Sequence, residues 1–408
     1  MRAIEISKSR AADPQNPPKT HKGHGAHNAS RSRVFAAFLL ERFLSPAPPG
    51  PVLDVAGGSG EVAVRLSFCH RVECVLLEPR EADLRRTFEK RVLPFLPKKH
   101  QARLRARAPG EYEALLAAHL PSQRVARFLP GEPLLAGCSL LLGLHADEVT
   151  EPIVRAALAH GKACAVVPCC VFPSLFKERR LPDGRQVRTV EQLVAYLVGL
   201  HPSLKARPLP FPGRNVAVYR YPRRLRRAQL PLFLGDYARP ALLLGHGRGN
   251  QYADAAAALA AVLPLLEGAD LLVYGGDAPD PSQPCLGLLM REVSAALPLL
   301  PVLAVAREAR AGELDALGWV THVLPYEGAE LGGVKGGAAV GATGVYLDPE
   351  LLPPGGARVV CAGGGRIARE EVAYARAKGY EVRYVRAAAR NGGGYGDVDA
   401  LFAGLDID

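Results

Sequence analysis

The stretch Val52-Leu53-Asp54-Val55-Ala56-Gly57-Gly58-Ser59-Gly60 decides the fold of the first half of this 408-residue chain. An apolar run that ends in an acid and a glycine cluster predicts a buried strand that turns sharply into a helix, and residues 61–66 have helical spacing. Glycines let the backbone approach a ligand closely, and a helix start offers unpaired N–H groups. The stretch therefore predicts a site for a nucleotide-like ligand at a strand–loop–helix turn.

A second acid supports this prediction. Residues 71–78 have the pattern of a second strand, which ends in Glu78, 24 positions after Asp54. A carboxylate at this distance beyond the glycines is placed to accept hydrogen bonds from both ribose hydroxyls. Residues 58–63 read G-x-G-x-x-A, so a dinucleotide site remains an alternative, as does a purely structural turn.

Together these residues resemble the first motif of class I S-adenosylmethionine-dependent methyltransferases, an acid followed by Gly-x-Gly-x-Gly, with a ribose-binding acid closing the second strand. Ala56 stands where the family usually has its first glycine. The resemblance implies S-adenosylmethionine as the cofactor. The cofactor-binding residues that it implies are Asp54, Ala56, Gly57, Gly58, Gly60 and Glu78.

Two later strand ends narrow the resemblance. Residues 140–145 end in Leu-His, and residues 162–170 end in Cys-Cys. This pair is similar to the branch that includes eukaryotic tRNA 2′-O-methyltransferases and glutathione S-transferase C-terminal domain-containing proteins. The tRNA enzymes have Lys-His-Leu-Cys-Gly where this chain has Gly-Leu-His-Ala-Asp at 143–147, and His-His where it has Val171-Phe172.

The candidate catalytic residues lie at these two strand ends. Methyl transfer from a sulfonium needs in-line approach and sometimes a base, so His145 is the predicted base, with a core or capping histidine as the alternative. Cys169 and Cys170 are further candidates. If the strand continues through them they point to opposite faces, so at most one faces the pocket, and simple packing is the alternative.

The charge is unevenly distributed along the chain. Residues 1–231 hold 37 Lys and Arg against 19 Asp and Glu, whereas residues 232–408 hold 14 against 21. A positive domain attracts polyanions, which predicts RNA as the partner, although solvated basic faces are the alternative. The loop 177–188 follows the fifth strand, where a substrate would arrive. Its candidate substrate-binding residues are Arg179, Arg180, Arg185 and Arg188.

The alternation of strands and helices predicts an α/β protein with two doubly wound, Rossmann-like domains. The predicted segments are a basic flexible tail (1–31), a methyltransferase domain (32–222), a basic linker (223–231) and a second Rossmann-like domain (232–408). In the first domain a helix from Ser32, capped by Ser30 or Ser32, is expected to cover the pocket or simply to pack on the sheet, and residues 125–129 form the third strand. Glycine clusters at 245–249 and 363–365 could cradle the phosphate of a nucleotide-like ligand, or simply form tight turns.

The cysteines, the apolar runs and the first residues of the chain indicate in which cellular compartment the protein is expected. Eight cysteines without a C-x-x-C pair argue against disulfides and against a metal site, and favour a reducing, intracellular compartment, cytoplasmic or nuclear. No apolar run reaches the roughly 18 residues of a membrane helix, so no membrane partner is expected. The first 33 residues lack the apolar core of a secretory signal, and an organellar transit peptide stays open.

We therefore expect an S-adenosylmethionine-dependent methyltransferase that acts on RNA, either tRNA or rRNA. Three alternatives remain from the sequence: a non-catalytic protein that binds S-adenosylmethionine or a nucleotide, a degenerate enzyme that serves as an RNA scaffold, and a methyltransferase for a protein or a small molecule.

Overall fold

The computed structural model describes residues 25–45, 47–245, 255–275, 286–327, 341–362 and 366–385. Within these residues the chain forms two β-sheets. The first sheet contains β1 (Val52–Val55), β2 (Cys74–Leu77), β3 (Ser122–Arg124), β4 (Leu140–Leu144), β5 (Ala163–Val167), β6 (Lys205–Pro208) and β7 (Val216–Arg220). The second contains β8 (Pro240–Leu244), β9 (Leu271–Gly275), β10 (Val302–Arg307), β11 (His322–Tyr326), β12 (Arg358–Cys361) and β13 (Val382–Tyr384).

Helices connect and cover these strands. The α-helices are α1 (Gly25–Arg42), α2 (Glu61–Val64), α3 (Leu84–Thr87), α4 (Lys98–Arg105), α5 (Pro109–His119), α6 (Leu134–Gly137), α7 (Thr150–Ala159), α8 (Val190–Gly199), α9 (Leu230–Leu234), α10 (Ala255–Val262), α11 (Leu286–Ala296), α12 (Glu308–Asp315), α13 (Gly341–Tyr346) and α14 (Arg366–Ala377). Two π-helical turns, Arg65–Cys69 and Phe88–Val92, extend α2 and α3. No helix in the described part of the chain is both long enough and apolar enough to cross a membrane.

The first sheet is doubly wound, as the sequence predicts. Its strand order is β3-β2-β1-β4-β5-β7-β6, and β7 alone runs in the direction opposite to the other six strands. The chain reverses its direction across the sheet between β1 and β4. Ligands bind at such a reversal, outside the carboxyl ends of the strands. The topology therefore places the loops after β1 and β4 around the expected site.

Both faces of the first sheet are covered. The central strands β1, β4 and β5 are almost entirely buried, because each is a continuous apolar run of the kind found in parallel sheets. One face packs on α1 through Phe35 and Leu39. The other face packs on α7 and α8 through Ile153 and Leu193. This three-layer arrangement holds the carboxyl edge of the sheet rigid beneath the site.

The second sheet is wholly parallel, with the order β11-β10-β9-β8-β12-β13. It reverses direction between β8 and β12, which confirms a second Rossmann-like α/β unit. Met290 of α11 and Leu314 of α12 cover one face. The other face shares a continuous apolar cluster with α1 and the first sheet.

The predicted linker 223–231 is part of this shared core. Arg224 forms a parallel bridge with Val323 of β11, and the Leu225 N–H donates to the Val323 carbonyl at 2.9 Å. The Arg223 guanidinium donates to the Leu317 carbonyl at 2.6 Å, and that of Arg224 pairs with Asp315. The predicted linker therefore packs against the second sheet at these two positions, because both guanidinia are engaged within the protein.

An ionic network also joins the two sheets. Arg42 of α1 donates to Asp236 Oδ1 at 2.7 Å, and the Tyr219 hydroxyl of β7 donates to Asp236 Oδ2 at 2.9 Å. Both charged side chains are nearly buried. Removing one partner of such a pair leaves an uncompensated buried charge. The segment that enters the second sheet is thus tied to the first sheet, and the predicted domain boundaries at 31, 222 and 231 stay predictions.

The expected third strand is wrong. β3 lies before residues 125–129, and the side chains of Val125 and Leu129 are 58% and 62% exposed. An edge strand has only one neighbour and can therefore be short and polar. The apolar residues 125–129, which follow β3, therefore do not mark the strand that pairs with β2.

Two helix and strand ends also differ from expectation. α1 begins at Gly25, so Ser30 and Ser32 lie inside the helix and do not cap it, because extending a formed helix costs little. β5 ends at Val167, since Pro168 has no N–H to continue the ladder. Residues 25–31 of the predicted flexible tail 1–31 belong to α1, whereas its residues 1–24 lie outside the described residues. Residues 246–249 and 363–365 of the two predicted glycine clusters lie outside them as well.

Candidate functional site

The glycine loop after β1 is shaped by close contacts. A Cβ at Gly57 would lie 2.6 Å from the Asp54 carboxyl, and one at Gly60, where φ is +72°, would lie 2.8 Å from Leu84. A side chain at Gly57 would therefore displace the Asp54 carboxyl, and one at Gly60 would strain the left-handed backbone. Ala56, at the position of the family's first glycine, adopts a φ of +52°. The loop thus keeps the left-handed backbone that a glycine would favour, at some cost in strain.

Asp54 is a buried acid with unused hydrogen-bonding capacity. Asp54 is only 1% exposed, and its Oδ2 accepts a hydrogen bond from the Ala63 N–H at 3.3 Å. Oδ1 has no hydrogen-bond partner among the described residues. Burial, with a smaller contribution from the nearby Glu78 charge, raises the pKa of Asp54 to about 7. A cationic ligand group beside Oδ1 would restore the charged carboxylate.

Glu78 follows β2 and contacts the glycine loop, as its spacing predicts. Its Oε2 accepts from the Gly58 N–H at 3.1 Å, and Oε1 accepts from Arg80 at 2.8 Å. The Glu78 side chain is buried, whereas that of Arg80 is largely exposed. The carboxylate therefore holds the loop in place and can accept further hydrogen bonds, since each oxygen has two lone pairs.

A cavity of about 190 Å³ opens beside this loop. Asp54, Gly57 and His145 from the predicted set line it, whereas Glu78, Cys169 and Cys170 are not among its lining residues. The other lining residues are Arg31, Ser32, Ser59, Glu61, Val62, Arg91 and Leu144. The Nε atom of Arg31 is buried there and has no hydrogen-bond partner among the described residues. An unpaired donor and the unpaired Asp54 acceptor therefore belong to the same cavity.

A charged cluster that sequence reasoning missed borders this cavity. Glu61 is buried at the start of α2, accepts from Arg65 at 3.1 Å, and lies 3.7 Å from Arg91. Burial raises the pKa of Glu61, while the hydrogen bond and charge of Arg65, the charge of Arg91 and a hydrogen bond with Ser32 oppose that shift. The i, i+4 spacing of Glu61 and Arg65 was the available sequence signal, whereas the arrival of Ser32 and Arg91 depends on tertiary packing.

His145 stands at the carboxyl end of β4, where the sequence places it. Its backbone N–H donates to the Val167 carbonyl at 3.0 Å, and its ring Nε2 lies 3.1 Å from the Arg214 carbonyl. His145 adopts a φ of +59°, which is uncommon for a residue with a Cβ. Strained backbone of this kind concentrates at functional sites. The ring is partly exposed and faces the cavity that Asp54 lines.

The two cysteines lie on the same side of the chain, which corrects the expectation that they diverge. Because β5 ends before them, the alternation of a strand does not apply, and their sulfur atoms are 3.4 Å apart. The Cys169 thiol donates to Asp147 Oδ1 at 2.9 Å. Burial and these neighbours raise the pKa of Cys169 far above its usual range, with the hydrogen bond to Cys170 as the largest cause. A free nucleophilic thiolate at Cys169 is therefore not supported.

The loop 177–188 divides into one buried arginine and three exposed ones. Arg179 is only 2% exposed, pairs with Glu151 at 2.6 Å and stacks over the Phe176 ring. Arg179 therefore anchors the loop within the protein, and the prediction that it contacts a substrate is wrong because its guanidinium is buried. Arg180, Arg185 and Arg188 are exposed, and Arg185 pairs with Asp183 at 2.6 Å. These three remain candidates for contact with a polyanion.

The second sheet carries a polar cluster at its own reversal point. The Gly245 N–H after β8 donates to Glu371 Oε2 at 2.8 Å, and the Thr343 hydroxyl donates to Glu371 Oε1 at 2.6 Å. Glu371 and Thr343 are both completely buried. This carboxylate thus ties α14 to the end of β8, and the nucleotide-like ligand expected here stays a prediction.

No protein-family model matches this chain, and no curated protein matches it. Among solved structures it is similar to the ribosomal protein L11 methylase from Lactobacillus delbrueckii subsp. bulgaricus, at 14% identity and a TM-score of 0.26, over 47% of this chain and 79% of that one. It is also similar to the magnesium protoporphyrin IX methyltransferase ChlM from Synechocystis PCC 6803 with bound SAH, at 12% identity and a TM-score of 0.28, over 48% and 84% of the two chains. A third is the methyltransferase domain of bacterial CtHen1-CN, at 11% identity and a TM-score of 0.28, over 48% of this chain and 100% of that one. All three are methyltransferases by name, and at such low similarity the function must be argued from this chain's own site.

Proposed function

We propose that this chain is an S-adenosylmethionine-dependent methyltransferase whose cofactor binds in the cavity beside the glycine loop. One observation carries the proposal: Asp54 Oδ1 and Arg31 Nε are buried at the same cavity and lack partners within the described residues. Buried polar atoms normally have partners, so exceptions call for an explanation such as a ligand. A carboxylate and a guanidinium are the natural partners of an ammonium and a carboxylate. S-adenosylmethionine carries both groups on its amino-acid end.

The remaining residues suit the nucleoside end of the same molecule. The Cβ position of Gly58 faces open space, so a ligand can approach the backbone of the loop there, and Glu78 offers acceptors beside the Gly58 N–H. Asp54 and Arg31 would then hold the amino-acid end, while the loop and Glu78 would hold the ribose. When bound, the cofactor supplies a methyl group on a positively charged sulfur.

His145 has the position of a group that orients or deprotonates the methyl acceptor. Its ring lines the cavity, and the hydrogen bond between Nε2 and the Arg214 carbonyl fixes its orientation. Histidine is the commonest general base in enzymes. A proton taken from an acceptor hydroxyl would thus be held at the end of β4, in contact with the cavity.

Calorimetric titration of the full chain with S-adenosylmethionine tests the cofactor proposal. Glu78→Gln should weaken the affinity by about 5-fold, because a hydrogen bond to a neutral amide contributes roughly 1 kcal/mol less than one to a carboxylate. Glu73→Gln is the matched control, since Glu73 is exposed on the same segment and should leave the affinity unchanged. No detectable binding by the natural chain would refute the proposal, while an unchanged affinity of Glu78→Gln would refute only the role of Glu78.

RNA is the acceptor that we favour, and α4 supports this choice. None of its residues is fully buried, and Leu104 packs against a core cluster, so packing does not explain its cationic residues. Its cationic side chains Lys98, Lys99, Arg103 and Arg105 are exposed, and none forms an ion pair with a described residue. Phe95, just before the helix, is also exposed and could stack on a base. The helix comes shortly after Arg91, which lines the cavity.

Filter binding of single-stranded RNA to the full chain at several salt concentrations tests this assignment. Each phosphate contact contributes a slope near −0.7 in log affinity against log salt, so replacing Lys98, Lys99, Arg103 and Arg105 by Ala should reduce the slope by about 2–3. Arg85→Ala is the control, because Arg85 is exposed but pairs with Glu89 and Glu113. Binding without salt dependence, or no binding, would point to a protein or small-molecule acceptor.

A further inference from the structure

Three metal-binding side chains meet where β4 and β5 end. Asp147, Cys169 and Cys170 each offer one ligand atom, and these atoms all lie within 4.8 Å of one another. The Cys169 sulfur is 3.4 Å from that of Cys170 and 2.9 Å from Asp147 Oδ1. We propose that these three residues form a binding site for a thiophilic divalent cation of the zinc class.

The distances suit such an ion after a small adjustment. Zinc–sulfur bonds of about 2.3 Å in a tetrahedral arrangement place two sulfur atoms roughly 3.8 Å apart, and a carboxylate oxygen roughly 3.6 Å from each sulfur. The present spacing is shorter by a few tenths of an ångström between the sulfurs and somewhat more at the oxygen. Asp147 is exposed, so its side chain can move outward to admit the ion. Two thiolates and one carboxylate favour zinc over the harder magnesium and calcium ions.

The charge around the cluster also balances. Two thiolates and a carboxylate carry three negative charges, and a divalent cation cancels two of them. Arg214 supplies the third positive charge: its Nη1 donates to the Cys169 carbonyl and lies 3.8 Å from the Cys170 sulfur. Outer groups of this kind orient metal ligands and tune the site. An occupied site would thus be electrically neutral in a partly buried position.

The backbone holds the donors in place without the ion. The Asp147 carbonyl accepts from the Thr150 hydroxyl at 2.9 Å, and the Val171 carbonyl, just after the cysteines, accepts from the buried Arg179 at 3.2 Å. Asp147 adopts a φ of +49°. The donors therefore come from two loops that the core fixes independently, which limits the reorganisation that binding would require.

Three protein ligands leave a fourth position for water or for an oxygen of a substrate. Zinc sites with three protein ligands and one open position are typical of catalysis, whereas structural sites have four protein ligands. The partly exposed Cys170 and the exposed Asp147 place that position toward solvent, on the strand-end edge that also carries His145. The expectation of no metal site rested on the absence of C-x-x-C pairs, and that spacing rule does not detect donors from two strand ends.

The test is titration of the reduced, chelator-treated full chain with Co²⁺ and then Zn²⁺, with oxygen excluded. One equivalent of Co²⁺ should produce a thiolate-to-cobalt charge-transfer band, and Zn²⁺ should abolish it by displacement. Cys170→Ser and Asp147→Asn should each weaken zinc affinity by at least about 100-fold, which exceeds the usual effect of losing an outer group. Arg214→Gln should weaken it by about 10-fold.

Cys69→Ser is the matched control, because Cys69 is exposed and does not belong to the cluster. The zinc affinity of the Cys69→Ser variant should equal that of the natural chain. Cys170→Ser replaces a partly exposed thiol, so circular dichroism should show an intact fold and keep the result interpretable. Absence of the cobalt–thiolate band, or a cobalt and zinc affinity of Cys170→Ser equal to that of the natural chain, would overturn the proposal whether or not S-adenosylmethionine binds.

Discussion

His145→Asn is expected to lower methyl-transfer turnover by about 10²–10⁴-fold while S-adenosylmethionine affinity and melting temperature stay nearly unchanged. The reason is that a general base typically contributes this factor, and a side-chain amide cannot take up the proton. Asparagine is the appropriate replacement, because it tolerates the left-handed backbone that His145 adopts at a φ of +59°. Turnover is measured as transfer of labelled methyl groups from S-adenosylmethionine to total RNA.

The control for this experiment is His160→Asn. His160 is exposed at the end of α7, and its replacement should leave turnover, affinity and stability as they are. Full turnover in His145→Asn would assign the histidine a structural role. A large drop in melting temperature would do the same, since a packing histidine acts through stability. The catalytic group would then have to be sought elsewhere on the same strand-end edge.

Asp54→Asn should change stability and cofactor binding in opposite directions. In the folded chain burial raises the pKa of Asp54 to about 7, so the free energy of unfolding falls as the pH rises from about 4 to about 7. The amide cannot ionise and avoids this loss. At pH 8 the variant should therefore be more stable by up to about 4 kcal/mol, the value of a three-unit shift. The gain should vanish below about pH 3, where the natural carboxyl is protonated in both the folded and the unfolded state.

Cofactor affinity should fall in the same variant by about 10–150-fold at pH 8. The proposed ammonium partner would lose a charge-assisted hydrogen bond, which contributes about 1.5–3 kcal/mol. In the natural chain the affinity should rise with pH through 7 as Asp54 ionises, and this dependence should be absent from the variant. Asp183→Asn, in an exposed loop, is the control for both measurements. An Asp54→Asn chain that is less stable at pH 8 and binds normally would contradict the assigned role.

The sequence predicted the candidate site only in part. Glu78 contacts the glycine loop at Gly58, because both follow neighbouring parallel strands that the apolar runs predict. Arg31 was not expected at the cavity, since it lies on a helix whose start was misplaced. A helix pattern shows which face is apolar, but it does not show which polar side chain on its margin reaches a strand end.

Arg179 and the run 223–231 show the same limit for charged residues. In the sequence they resemble surface arginines, and the positive charge of the first half of the chain favoured contact with a polyanion. In the structure Arg179 pairs with Glu151, and Arg224 pairs with Asp315, each partner being far away along the chain. Charge patterns do not reveal such long-range partners, so composition alone overestimates the basic surface that is available to RNA.

The sequence by itself determined the two doubly wound sheets and the glycine loop with its flanking acids. Buried strands, helix spacing and tight turns are encoded by neighbouring residues, and the carboxyl ends of parallel strands necessarily share an edge. Only the tertiary structure decided which side chains occupy that edge. Arg31 reaches the cavity that Asp54 lines, and Asp147 contacts Cys169, only because separate segments of the chain pack together over the sheet. The distances between these side chains are set by packing and by hydrogen bonds between residues that are remote in sequence. No local sequence pattern specifies such contacts.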